Sequence, residues 1–554
     1  LERSAEEARK TIVYFPFRSS VEDIWNRLKD GQSCALDRTV RYHSGESIGG
    51  IEKDQAYREF RDNEKTLMLA TKAFGMGVNI SDIEEVYHYA PTGTLADYIQ
   101  EIGRAARKLE HGYAVTDYLP TDMHYARTLW GLSGLRHYQI QEMMKKLYEI
   151  YENKKKRNLL VSPDTFNYLF DSQSVEGKVK SGLMLMANDL LETYHFKVIA
   201  VRAKSLFSRQ YITVPAEIED RFMGQYRRYC REMKDVKARK EYNREGYSSL
   251  TFKNGKVYEV DLAALWEKHF SDKTFPKFKW DFFHKKLFDF GEVNIVPNSR
   301  LTIRYTQEYE KVKLSFYKLA KTIQKVFLQL KRGFGGRNFM MKDFSERFLA
   351  LYGEPVRKEY IAMLLDLFCY DHVDLMEYPK ENWKFIERRK ADDSGGFASA
   401  FCIRTQKYSF IETNLKRYFN LAEPNSGENI YITYIPIVEG DTVKVAHLQL
   451  LASILQLFGM AAYEMNGGMN PEIFIRINDS QKLKRIAFSD KRYTNRLLTQ
   501  IEQRHKRAVS LMNQFMKGDF TNEQRWEIIE EYFLGHDDYV GDMLGEGINR
   551  SANS

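Results

Sequence analysis

The 554-residue chain has only four cysteines. Cys34, Cys230, Cys369 and Cys402 lie far apart, which argues against a disulfide framework and fits a reducing interior. No Cys-x-x-Cys occurs, so a four-cysteine zinc module is excluded and no structural metal is expected. Long apolar runs are missing as well. The best, Leu448 to Tyr463, is interrupted by Gln449 and Gln456 and reads as a buried helix rather than a membrane span. The start of the sequence is charged and has no signal-peptide pattern, so a cytoplasmic location without a membrane partner is expected. A glycine-rich loop ending in Gly-Lys-Ser or Gly-Lys-Thr is also lacking. Gly177-Lys178-Val179 and Gly255-Lys256-Val257 have neither the hydroxyl residue nor the preceding glycine, and no strand ends in Asp-Glu-x-His. The loop that cradles nucleotide phosphates and the acidic pair that holds magnesium are therefore both absent from these residues.

What is present is a chain long enough for several cores, 43% hydrophobic and 14% aromatic, with a formal net charge of +8. The charge is uneven. The first 130 or so residues are mildly acidic, whereas the stretch from about 131 to 345 carries an excess of Lys and Arg. A basic middle of this kind is an electrostatic footprint for a phosphate backbone.

Two stretches between residues 67 and 107 carry the most information. Thr66 to Ala70 reads as a buried strand that runs into a loop with Gly75 and Gly77, where a glycine backbone can approach phosphate or nucleic acid closely. Tyr98-Ile-Gln-Glu-Ile-Gly-Arg-Ala-Ala-Arg107 reads as a helix start. On a helix, Gln100, Arg104 and Arg107 are spaced by four and three and share one face, a donor cluster suited to a polyphosphate. A solvated face with carboxylate partners has the same pattern.

In order and spacing this pair resembles motifs V and VI of superfamily-two helicases, most nearly the RecQ-like branch. Thr11-Ile-Val-Tyr-Phe-Pro-Phe-Arg18 is similar to the motif IV strand and loop, and Tyr42-His43-Ser44-Gly45 to the turn that precedes the family's next helix. The resemblance implies an α/β, RecA-like second helicase lobe over residues 1–130. It implies arginine fingers at Arg104 and Arg107, with Gln100 as the motif VI glutamine near the nucleotide. Gly75, Gly77 and Asn79 would lie on the ATP side, and Arg18, His43, Ser44, Gly45 and Thr71 on the nucleic acid. Asn79 stands where the family usually has Asp, and Ala106 replaces a glycine, a mild change if it lies on a helix. ATP and Mg2+ would be bound mainly by a first lobe, which these residues do not contain. The chain is therefore expected to be the C-terminal part of a longer polypeptide, or one half of a split motor, inactive alone.

Beyond the lobe, the resemblance and the local patterns suggest four further segments. Residues 131–220 read as a helical linker and winged-helix-like domain, with helices around 121–157 and 180–194 and strands around 197–214. Lys154-Lys155-Lys156-Arg157 is a charge run that suits a solvated helix end or a phosphate contact. Residues 221–340 form a basic mixed domain. In it a helix over 221–240 presents a basic face, and Phe275 to Lys286 interleaves aromatics with lysines. Those aromatics are either core or a stacking surface for unpaired bases. The glycine-rich loop from Arg332 to Arg337 either clamps a backbone or joins domains. Residues 341–395 read as a second winged-helix-like domain, for duplex DNA or protein docking. Residues 396–554 read as mainly helical around one strand, Glu472 to Ile477, whose nuclease-like carboxylate is better explained as structural.

The general layout resembles large bacterial helicases of anti-phage defence, including the Hachiman helicase, and so implies a nuclease partner protein. The leading expectation is the C-terminal part of an ATP-dependent DNA helicase or translocase acting on single strands with a junction or duplex. The alternatives are a non-catalytic nucleic-acid-binding scaffold subunit and an RNA helicase.

Overall fold

The computed structural model describes all residues except 1–8, 32, 44–49, 75–78, 120–121, 124, 126–134, 171–174, 207–208, 235–254, 292, 332–337, 371–382, 392–397, 425–428, 438–442 and 537–554. The chain divides into two compact units, one of Leu1–Gly134 with Thr499–Ser554 and one of Leu135–Leu498.

The first unit is built on five parallel strands. They are β1 (Thr11–Tyr14), β2 (Thr39–Tyr42), β3 (Leu67–Ala70), β4 (Glu85–His88) and β5 (Tyr113–Thr116), in the order β2-β3-β1-β4-β5. Helices α1 (Arg18–Asp30), α2 (Gly50–Arg61) and α3 (Leu95–Ile102) connect them. A strand inside a parallel sheet is covered on both faces, so its sequence reads as a continuous apolar run. All four residues of β1 and of β3 are buried. The alternation of side chains divides β1 between two cores. Ile12 and Tyr14 join Met68, Ala70 and Leu95 in one, while Val13 and Phe15 join Leu67 and Leu69 in the other. Registers are in step: Thr11 lies opposite both Leu67 and Glu85, and Thr39 opposite Leu67. All carboxyl ends therefore open at one edge of the sheet, where ligands of open α/β sheets bind.

The second unit holds three sheets among its described residues. Its elements begin with α4 (His137–Lys154), β6 (Asn158–Val161), α5 (Val175–Tyr194), β7 (Ile199–Leu206) and β8 (Arg209–Pro215). The strands expected around 197–214 do form, yet they do not pair with each other as a wing. β8 pairs with β10 (Gly255–Asp261) and β11 (Val296–Tyr305), and β7 pairs with Glu472–Ile477. β8 is paired on both edges and β7 on one, each time by a strand distant in sequence, so non-local pairing overrides the local hairpin pattern. The helix expected over 221–240 is also shorter. α6 (Glu219–Tyr226) gives way to β9 (Cys230–Glu232), which pairs with β10, and residues 235–240 lie outside the described residues.

Downstream come α7 (Leu262–His269), α8 (Phe275–Phe283), α9 (Tyr309–Lys331), β12 (Asn338–Met340), α10 (Met341–Tyr352) and α11 (Lys358–Phe368). The strands β13 (Ile386–Ala391) and β14 (Ala398–Ile403) complete a three-stranded sheet in the order β12-β14-β13. The two helices expected in 341–395 are present. The strand expected at 373–378 falls outside the described residues, as does the loop 332–337, and β14 lies beyond the expected boundary at 395.

Among its described residues the stretch 396–554 contains four strands where one was expected: β14, β15 (Ile430–Pro436), β16 (Ala461–Asn466) and β17 (Glu472–Ile477). β17 is entered from Gly467 and Gly468, whose φ angles of +71° and +102° favour glycine. Its Glu472 is buried, and burial raises the carboxyl to about 7. Among the described residues no group of three or more His, Cys, Asp or Glu could hold a metal ion.

After α12 (Ile411–Leu421), α13 (Val443–Leu457) and α14 (Ser480–Ala487), the last helices among the described residues are α15 (Arg496–Lys517) and α16 (Asn522–Leu534). From Thr499 onward these helices belong to the first unit rather than to one C-terminal body running from residue 396. Met512, Phe515, Ile528 and Ile529 share a core with Leu95, Tyr98 and Ile102. The Phe515 and Tyr98 rings meet edge-on at 5.8 Å, and the Tyr118 hydroxyl donates to Asn513.

Candidate functional site

The strand ends set the positions of three expected contacts. Arg18 opens α1 after β1 and is exposed. Thr71 follows β3; its N–H donates to the Tyr42 carbonyl at 3.3 Å and its hydroxyl accepts from Ala73 N–H at 3.4 Å. His43 follows β2 but is buried, its Nε2 2.6 Å from Glu22 Oε1. Arg41 also bonds Glu22 and lies over the Trp25 ring at 5.0 Å. The expectation of a direct nucleic-acid contact through His43 thus meets an imidazole held inside the lobe by a carboxylate. Ser44, Gly45, Gly75 and Gly77 lie outside the described residues.

The donor cluster differs from its expected form. Thr94 caps α3 by accepting from Asp97 N–H, and the helix stops at Ile102 with Gly103 as its C-cap. Gln100 is exposed on the helix, but Arg104 and Arg107 lie beyond it in turns. The shared helical face therefore does not exist, because the period of 3.6 residues ends before either arginine. Arg104 is only 5% exposed and hydrogen-bonds the Tyr14 hydroxyl, which in turn donates to the Phe74 carbonyl at 2.8 Å. Burial raises the Tyr14 phenol above its ordinary pKa. Nearby, His88 Nε2 lies 2.8 Å from Glu101 Oε2, and the His88 ring sits 5.7 Å from Tyr14 and 5.2 Å from Tyr98. Tyr14, His88 and Glu101 thus form a buried polar cluster beside Arg104 that the sequence reading did not single out. A polar His at the end of an apolar strand is the one signal that marked them.

Arg107, by contrast, is exposed. Its Nη1 donates to Asn79 Oδ1 at 2.9 Å and its Nε to the Gly103 carbonyl at 3.4 Å. Two residues expected on the nucleotide side are thereby brought together. Both acceptors are neutral, so no carboxylate in these contacts competes with an incoming anion, unlike Glu22 at Arg41.

Ala106 sits between the arginines with φ +56°, in the left-handed region. The expected mild helical substitution is therefore a conformational one, since a residue with a Cβ is strained where glycine is not. A Cβ built on Gly112 would come within 2.7 Å of the Ala106 Cβ, so this turn is tightly packed. Ala106→Gly is expected to raise the denaturation midpoint of the first unit, by about 0.5–1 kcal/mol of stability. A midpoint that stays put or falls in chemical denaturation contradicts the strain.

This sheet and its two arginine environments can be set beside known proteins. Residues 1–108 match the helicase conserved C-terminal domain. Over 155 residues the chain is 31% identical to the bifunctional 3'-5' exonuclease/ATP-dependent helicase WRN of Mus musculus, covering 27% of this chain and 11% of that protein. It is 35% identical over 134 residues to the ATP-dependent DNA helicase RecQ of Bacillus subtilis (strain 168), covering 24% and 22%. A probable ATP-dependent RNA helicase, DDX17 of Mus musculus, is 29% identical over 126 residues, covering 23% and 18%. The chain thus spans from about a tenth to about a fifth of these relatives' own lengths. The matches show that the first 108 residues are similar to the C-terminal domain of helicases, and that the relatives so matched are named as ATP-dependent helicases, RecQ among them. Among the described residues no helix is long and apolar enough to cross a membrane.

Proposed function

We propose that this chain supplies the second lobe of an ATP-dependent DNA helicase or translocase. ATP and Mg2+ are held mainly by a first lobe that carries the Gly-Lys-Ser/Thr loop and acidic pair these residues lack. Arg107 is the arginine finger, stabilising charge that develops on the transferred phosphoryl, with Gln100 and Asn79 beside the nucleotide. Arg104 acts from within the lobe, tying the finger turn to Tyr14. Arg18, Thr71 and the loops after β1, β2 and β3 grip the nucleic-acid backbone as the two lobes close and reopen. The observation that carries this reading is the exposed Arg107 guanidinium resting on neutral oxygens within the helicase-like segment.

The accessory domains that follow the lobe would separate strands or hold duplex. The resemblance in layout to anti-phage helicases makes a nuclease the protein partner we propose. A scaffold role without catalysis is the alternative, and the relatives include proteins named for both DNA and RNA.

The test is ATP hydrolysis by the protein joined to its phosphate-binding lobe, with and without single-stranded DNA, RNA and duplex. Stimulation by single-stranded DNA is the expected result. Turnover that is equal without any polynucleotide contradicts the motor, and stimulation by RNA alone moves the substrate to RNA.

A further inference from the structure

The second unit has an aromatic and basic surface on α8 that the motor reading does not use. Of the aromatics in this helix, Phe278, Phe282 and Phe283 are buried in a core with Leu262 and Leu265. Trp280 is 41% exposed and stands outside that core. Its surface position is ordered. The His284 ring stacks on it, with centroids 4.0 Å apart and planes 19° apart, while His284 Nδ1 lies 2.7 Å from the Trp280 carbonyl. Lys285 then takes a left-handed backbone, φ +61°, and the turn brings Lys286 back to the indole. The Lys286 and Lys277 ammonium groups sit 4.6 and 4.3 Å from the ring centroid.

The charge around this ring is one-sided. From Lys273 to Lys286 there are five lysines and one carboxylate, Asp281. Lys273 and Lys277 bond that carboxylate at 2.7 and 2.9 Å and hold it below the usual carboxylate range. Lys285 and Lys286 form no ion pair among the described residues. A rigid, exposed π-face rimmed by cations fits a flat aromatic group set between phosphates. An acidic peptide would use the lysines and leave the indole without a partner. A base stacked on an aromatic ring is held more strongly than an exposed ammonium over the same ring. Exchange therefore favours the base, and the displaced lysines are free to meet the flanking phosphates.

We propose that Trp280, backed by His284 and flanked by Lys277, Lys285 and Lys286, is a stacking platform for an unpaired base of single-stranded DNA. This deepens the nucleic-acid reading above and rests on it, yet it is independent of Arg107 and of ATP. The test is fluorescence anisotropy of the full chain with a labelled oligo-dT 20-mer and with a blunt duplex, using wild type, Trp280→Ala, Trp280→Phe and Arg107→Ala.

Trp280→Ala is expected to weaken oligo-dT binding about tenfold, Trp280→Phe to restore most of that loss, and duplex binding to change little. Unchanged oligo-dT affinity in Trp280→Ala overturns the platform and leaves the motor reading standing. An equal loss on single strand and duplex also overturns it, since a phosphate contact would suffice. Competition by poly-glutamate as effective as unlabelled oligo-dT assigns the patch to acidic peptides instead. Wild type that binds no polynucleotide overturns both readings.

Discussion

Arg107→Ala, in the protein joined to its phosphate-binding lobe, is expected to lower polynucleotide-stimulated ATP hydrolysis by about 10³–10⁵-fold. The loss falls on kcat, because a finger acts on charge that appears as the phosphoryl group transfers. Thermal stability should stay nearly constant. The side chain is exposed, and its removal leaves the Asn79 amide and the Gly103 carbonyl to water. Arg104→Ala is a useful contrast. That guanidinium is buried on Tyr14, so its removal is expected to lower the stability of the first unit together with activity. Undiminished turnover by a folded Arg107→Ala protein sinks the finger assignment.

Phe515→Ala should destabilise the first unit by about 3–5 kcal/mol, the usual cost of emptying a buried phenyl site. Phe515 is 1% exposed, packs on Tyr98 and has the Arg525 guanidinium over its ring at 5.2 Å. Because the chain has two units, a single unfolding midpoint is a poor measure of this effect. Amide hydrogen exchange separates them. Protection should collapse in α3 and the strands beside it, while β11 and β15 in the second unit keep theirs. Phe533→Ala, on a side chain that is mostly exposed, is the control and should change neither. Equal loss of protection in both units would contradict the assignment of Phe515 to the first core.

These two residues mark how far the sequence could be read. β3 was legible because a strand buried on both faces reads as an unbroken apolar run, and β1 through its likeness to the motif IV strand. α3 was legible as a helix, although its start was read at Tyr98 and lies at Leu95, behind the Thr94 cap. Its end was not. The spacing of Gln100, Arg104 and Arg107 suits a helix, and only the backbone of Gly103 to Ala106 shows that the helix stops first. The Arg107–Asn79 contact crosses 28 positions, and its distance in sequence hid it. Trp280 shows the limit of composition. Phe278, Trp280, Phe282 and Phe283 look alike as a hydrophobic cluster, and only burial separates the core rings from the exposed one. For α15 and α16, amphipathic spacing says which face is covered, but nothing local says by what.

The interrupted first unit has a consequence for biosynthesis. Leu95, Tyr98 and Ile102 leave the ribosome early, whereas the side chains that cover them, Met512 to Ile529, are made after residues 135–498. Until then the nascent lobe carries a bare apolar strip, a binding site for a holdase chaperone and a hazard for aggregation. The intervening unit draws its core from its own residues, so its folding in that interval does not wait for the later helices. Once folded, it shortens the span over which the two halves must find each other, and so lowers the entropy cost of closing them. A premature stop after residue 498 would thus release a chain whose second unit is complete and whose motor-like lobe is open, a fragment for proteases to clear.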